Sequence, residues 1–165
     1  MRFVGRDREL KKLNDLYQDE GFQFVVIYGR RRVGKTMLIN EFLKKKRSAY
    51  YMAVEGTSKE NLSGISKVLL AEKNEEFYMP EFPDFESLLS YIDHLCKNTD
   101  DQERLVIAID EFPYLAGSYP AISSMLQSHI DQCWKDSNLF LILCGSSMSF
   151  MEEQVLGYKS PLYGR

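Results

Sequence analysis

The sequence has little of what marks secreted, metal-rich or membrane-embedded proteins. Its 165 residues include three cysteines, two histidines, five prolines and one tryptophan. Cys96, Cys133 and Cys144 are odd in number, far apart and form no C-x-x-C pair. That excludes a disulfide framework and predicts reduced core thiols in a cytoplasmic chain. Two histidines are too few for a His/Cys zinc site. The longest purely apolar run, residues 139–144 (LFLILC), is far short of the about 20 residues of a membrane span. The N-terminus carries no apolar stretch of the signal-peptide kind. Charge of one sign is lacking too: 21 Lys and Arg against 24 Asp and Glu give a net charge of −3, so no global basic field announces nucleic acid, and only a local patch stays open. Repeats, low-complexity tracts and Gly/Ser-rich linkers are absent from the sequence.

What is present is an ordinary globular composition, 44% hydrophobic and 27% charged, on a chain of about one domain's length. Strand-like and helix-like segments alternate, which predicts an α/β fold with a mostly parallel sheet. Strands are expected at residues 24–28 (FVVIY), 49–54 (AYYMAV), 105–109 (LVIAI) and 139–144. Helices are expected over 7–20, from Gly34 to about Lys46, over 58–71 and 85–97, from Pro120 to about Lys135, and over 148–156. The acidic stretch 72–86, with Pro80 and Pro83, predicts a surface loop.

The strongest local signal is Gly29-Arg30-Arg31-Arg32-Val33-Gly34-Lys35-Thr36, which fits G-x-x-x-x-G-K-[ST], the P-loop or Walker A pattern. Glycines let a backbone wrap a phosphate with its N–H groups, and the helix that follows presents its positive end to the same anion. Lys35 supplies a mobile cation for β- and γ-phosphates, and Thr36 a hydroxyl for Mg²⁺. The context is right, with a β-rich run before the loop and a helical pattern after it. Arg30, Arg31 and Arg32 are an unusual filling. They are either charge near a triphosphate or a partner's nucleic acid, or solvated loop residues.

The second signal is the apolar run 105–109 followed by Asp110 and Glu111, a Walker B pattern. Asp110 is placed to hold the Mg²⁺ shell, and Glu111 to polarise a water for in-line attack. A small-molecule kinase has no use for such a water, so Glu111 argues against one. The third signal is Gly145-Ser146-Ser147 at the end of the last apolar run. Ser147 or Ser146 can sense the γ-phosphate or orient the water, and serines there can equally cap the next helix.

Five ordered motifs then make a resemblance. Phe3-Val4-Gly5-Arg6-Asp7-Arg8-Glu9-Leu10, YGRRRVGKT, VIAIDEF, the GSS strand end and Ser160-Pro161-Leu162-Tyr163-Gly164-Arg165 resemble the archaeal-type ATPases, P-loop proteins of the AAA+/STAND branch. The resemblance covers essentially the whole chain. It implies a three-layer P-loop NTPase of the additional-strand, catalytic-glutamate (ASCE) type. Numbering the apolar strands in chain order, their order in the sheet is then 2-3-4-1. It implies that Phe3, Val4, Gly5 and Arg6 line an adenine pocket and that Arg165 is a γ-phosphate sensor or finger. It also implies an N-terminal part of a larger protein, with the fifth strand, helical lid and C-terminal effector domain beyond residue 165.

The expected function is ATP binding and slow Mg²⁺-dependent hydrolysis in an ATP-driven regulatory or DNA- or protein-associated ATPase. The expected catalytic residues are Lys35, Glu111, Ser147 and Arg165. Thr36 and Asp110 are the metal ligands. Phe3 to Arg6, Gly29 to Thr36 and the adjoining Met37 form the nucleotide-binding set. The alternative is a nucleotide-dependent interaction switch with little turnover. Without a fifth strand, residues 24–28 should lie at a sheet edge, which invites self-association or a loss of activity relative to a longer form. Lys44 to Arg47 read as a solvated helix end, Trp134 as packing, and His94 and His129 as residues without partners or roles.

Overall fold

Four strands, Gln23–Tyr28 (β1), Ser48–Met52 (β2), Val106–Asp110 (β3) and Phe140–Gly145 (β4), form one parallel sheet. The computed structural model describes residues 7–29, 34–73, 81–97 and 103–156. The strand order is β1-β4-β3-β2, so β4 inserts between β1 and β3 as expected. Gln23 pairs with Phe140, Phe140 with Val106, and Val106 with Ser48, which aligns the carboxyl ends of all four strands. Every residue of β3 and β4 is buried, the burial that a continuous apolar run of a covered parallel strand requires. β1 and β2 are only partly buried and occupy the two edges among the described residues.

The two-residue period of the strands divides the core in two. Val106, Ala108, Phe140, Ile142 and Cys144 face helices Asp7–Gln18 (α1) and Lys35–Leu43 (α2), packing on Leu13, Leu38, Ile39 and Phe42. Ile107, Ile109, Leu141 and Leu143 face the opposite layer. That layer holds Ser58–Glu72 (α3), Phe85–Lys97 (α4), Phe112–Ser118 (α5) and Ile122–Gln132 (α6). A three-residue helix, Met148–Phe150 (α7), and a single π turn, Met151–Leu156, follow β4. Among the described residues no helix is long and apolar enough to cross a membrane.

Several expectations are corrected. α5 has no counterpart in the sequence reading, because seven residues are too few to establish a 3.6-residue period. The helix expected up to Lys135 ends at Gln132, and a 3₁₀ turn, Trp134–Asp136, follows. The segment 72–86 is not simply a surface loop: α3 runs through Glu72, while Phe82 and Phe85 are buried, with Phe82 N donating to Ser66 Oγ at 3.1 Å. Of Lys44 to Arg47, Lys44 and Lys45 are exposed as expected, but Lys46 and Arg47 are half-buried. Lys46 Nζ lies 4.4 Å from the Phe42 ring centroid and donates to Asn14 Oδ1 at 3.2 Å, and Arg47 pairs with Glu72. His129 has partners on both nitrogens: Asp93 at 2.9 Å and Glu86 at 3.0 Å.

Trp134 packs as expected. It is fully buried and its Nε1 donates to Asp93 Oδ1 at 2.6 Å. The three thiols are free. Burial pushes each above the ordinary thiol range, Cys96 up to about 11, so none carries thiolate character.

Candidate nucleotide site

At the carboxyl end of β1 the chain passes through Gly29 and re-enters helix at Lys35. Gly34 precedes α2 at φ 84, a left-handed conformation that a side chain disfavours and glycine adopts freely. This turn brings the Lys35 side chain back toward the end of β1. Its side chain is buried, and Nζ donates to Gly29 O at 2.7 Å, so the ammonium joins the two ends of the loop.

One residue on, Thr36 Oγ1 donates to Asp110 Oδ2 at 2.7 Å, linking the first turn of α2 to the end of β3. Asp110 is only 1% exposed. A buried carboxylate needs donors, and Asp110 has them: Thr36 and Tyr50 Oη on Oδ2, the latter at 2.6 Å, and Glu111 N on Oδ1 at 2.9 Å. Burial first, then the bond to Asp110, pushes the Tyr50 phenol above its ordinary range. Cys144, beside them on β4, is raised by burial first and then by the charge of Asp110.

Glu111 turns the chain from β3 into α5 at φ 53, ψ 43, a left-handed conformation that is uncommon for a residue with a Cβ. Such strain clusters at functional sites. Its Oε1 accepts Ser146 Oγ at 2.6 Å. The two serines after β4, of which Ser147 is the expected catalytic one, have different partners. Ser147 is exposed and its Oγ caps α7, accepting Phe150 N at 3.4 Å, while Ser146 reaches Glu111. Gly145 allows this approach, since a Cβ there would stand 2.8 Å from both Pro113 Cδ and Met151 Sδ.

The structure thus brings Lys35, Thr36, Asp110, Glu111 and Ser146 to one end of the sheet. Met37 lies in the first turn of α2 with its side chain exposed. Phe3, Val4, Gly5, Arg6, Arg30, Arg31, Arg32, Val33 and Arg165 lie outside the described residues. Tyr50 is the residue that sequence reasoning missed. Its position in a strand was legible, but its reach to Asp110 depends on β2 neighbouring β3.

The sheet order and the lysine-threonine-aspartate junction define an ATPase-type, nucleotide-binding P-loop domain. The chain belongs to the family of ATPase domains found predominantly in Archaea, whose model matches residues 3–165. It is similar to an uncharacterized protein of Methanocaldococcus jannaschii, 39% identical over 163 residues. The match covers 99% of this chain and 34% of that protein, so the chain spans about a third of the relative's length. Two solved structures share its fold. The Walker-type ATPase of Pyrococcus abyssi superposes with a TM-score of 0.67 at 22% identity, covering 99% of this chain and 51% of that one. A chain of Drosophila ORC bound to DNA superposes with a TM-score of 0.70 at 20% identity, covering 92% of this chain and 40% of the other.

Proposed function

We propose that the domain binds ATP with Mg²⁺ at the carboxyl edge of the sheet and hydrolyses it slowly, by attack of water on the γ-phosphate. The observation that carries this reading is the junction of Thr36 with a buried Asp110, one residue from Lys35 on one side and from Glu111 on the other. A hydroxyl and a carboxylate 2.7 Å apart are hard oxygen donors, a set that suits Mg²⁺. Thr36 and Asp110 would hold the ion, which when bound neutralises the phosphate oxygens and orients them. Lys35 would exchange its bond to the Gly29 carbonyl for phosphate oxygens. Glu111 would orient the attacking water. Catalysis would rest on positioning and electrostatics. Phe3 to Arg6 at the adenine, Arg30 to Arg32 near the phosphates and Arg165 at the γ-phosphate extend the proposal to residues outside the described structure.

One observation favours the second reading, a nucleotide-dependent switch with little turnover. Glu111 Oε1 is engaged by Ser146, which ties the carboxylate to the end of β4 and holds it in a resting orientation until that bond opens. In either reading the domain serves a longer ATP-driven protein that acts with DNA, with another protein, or with a second copy of itself along the outer edge of β1.

The test is calorimetry together with phosphate release. Lys35→Ala should weaken MgATP binding at least tenfold, because it removes ground-state phosphate charge. Glu111→Gln should keep binding within about threefold and lose hydrolysis by about 100-fold, the lower range for a positioned base. Equal binding losses in the two variants would reject these separate roles.

A further inference from the structure

The Asp110 carboxylate is held more tightly than hydrolysis alone demands. Thr36 suffices to join α2 to β3, yet a second hydroxyl arrives from β2 and donates to the same oxygen, Oδ2, at 2.6 Å. That length is typical of an O–H donor on an ionised oxygen. An ionised carboxylate offers about four lone-pair sites over two oxygens. Two donors fill Oδ2, and Glu111 N takes one site on Oδ1. The Cys144 thiol is a further hydrogen-bond partner of Asp110. Tyr50 is half-buried and packs against the core cluster beneath α2, which restricts its movement. Its neighbour Tyr51 points to the other layer, where its hydroxyl donates to Asn61 Oδ1 at 2.7 Å.

We propose that Tyr50 is a positioning residue for the divalent cation: its hydroxyl fixes the rotation of the Asp110 carboxylate that would meet the ion. This rests on the reading that MgATP occupies the site. Mg²⁺ demands nearly ideal octahedral geometry, whereas Ca²⁺ tolerates irregular shells. A carboxylate free to rotate should therefore harm Mg²⁺ binding more than Ca²⁺ binding. Partners that orient metal ligands in this way change affinity by about 10- to 100-fold when removed.

The experiment uses the full 165-residue chain, with Tyr50→Phe and the matched control Tyr51→Phe. A non-hydrolysable ATP analogue is first titrated in EDTA. Mg²⁺ or Ca²⁺ is then titrated into the complex. Tyr50→Phe should bind the analogue without metal within about twofold of wild type and hold Mg²⁺ about tenfold more weakly. Its Ca²⁺ affinity should fall less than its Mg²⁺ affinity, and Tyr51→Phe should leave both cations unaffected. Unchanged Mg²⁺ affinity in Tyr50→Phe, with a wild type that responds to Mg²⁺, removes the role of Tyr50 and leaves the ATP reading standing. An equal loss in Tyr51→Phe does the same. A wild type whose analogue binding gains nothing from Mg²⁺ overturns both. If Tyr50→Phe fails to fold, 3-fluorotyrosine placed at position 50 gives the answer by fluorine NMR. Its resonance should shift when Mg²⁺ joins the analogue complex, and a resonance that stays put overturns the inference.

Discussion

Glu111 is held twice, by a left-handed backbone at φ 53 and by the hydroxyl of Ser146 on its carboxylate. The Pro113 that opens α5 restricts the segment further, so the side chain has few ways to leave. The expectation at this scale is that Ser146 holds Glu111 in a resting orientation. Ser146→Ala should raise basal phosphate release about fivefold, within the scale of a hydrogen bond to a charged group. Ser147→Ala, which removes only the cap of α7, should leave turnover within about twofold. A fall in turnover for Ser146→Ala would show that the serine aligns Glu111 instead of restraining it. The pair illustrates how much of a site is legible in a sequence. Two adjacent serines at a strand end announce a polar group near the phosphates, but which of them turns inward depends on the path of the chain after Gly145.

The helices around the sheet follow local rules closely. α3 starts with a complete capping box: Thr57 Oγ1 accepts Glu60 N at 3.1 Å, and Glu60 Oε1 accepts Thr57 N at 3.2 Å. Beside it, the buried Asn61 donates to Val54 O at 3.1 Å and accepts Val54 N at 2.9 Å, fastening the end of β2 to the helix. Thr57→Ala removes the cap but leaves the Asn61 clamp. It should cost about 1 kcal/mol of stability in urea denaturation, with nucleotide affinity unchanged. A loss of several kcal/mol would mean that the cap also holds β2 in register. Where local rules were silent, the elements were missed. Lys46 and Arg47 looked solvated because their charges sit after a helix end. The Lys46 ammonium lies over the rings of Tyr17 and Phe42 and reaches Asn14, and Arg47 meets Glu72 from a distant segment.

Across the whole molecule, Arg104 joins parts that the sequence keeps far apart. It is 6% exposed and lies between the rings of Tyr17 and Phe140. It donates to Leu16 O at 3.1 Å, Gly21 O at 2.8 Å and Asn138 Oδ1 at 2.6 Å. One guanidinium thus ties the turn after α1 to the starts of β3 and β4. Arg104→Met keeps the volume and leaves those carbonyls without a donor. The expected loss is about 1–3 kcal/mol, visible as a lower Tm, from several acceptors that lose a charged donor. A loss below about 0.5 kcal/mol would show that water replaces the guanidinium.

The sequence by itself determined the layering and the chemistry. Strand runs of five or six apolar residues and helices of 3.6-residue period depend on neighbours along the chain, and so does the glycine loop that ends in Lys35 and Thr36. It also placed β4 between β1 and β3, through a resemblance carried by the motifs and not by periodicity. Only the tertiary structure decided that Tyr50 reaches Asp110, that Ser146 takes Glu111 and that His129 sits between Asp93 and Glu86. Each of these bonds joins residues from different elements. Whether such groups meet depends on sheet order, strand parity and helix packing together, and short-range pattern carries none of those.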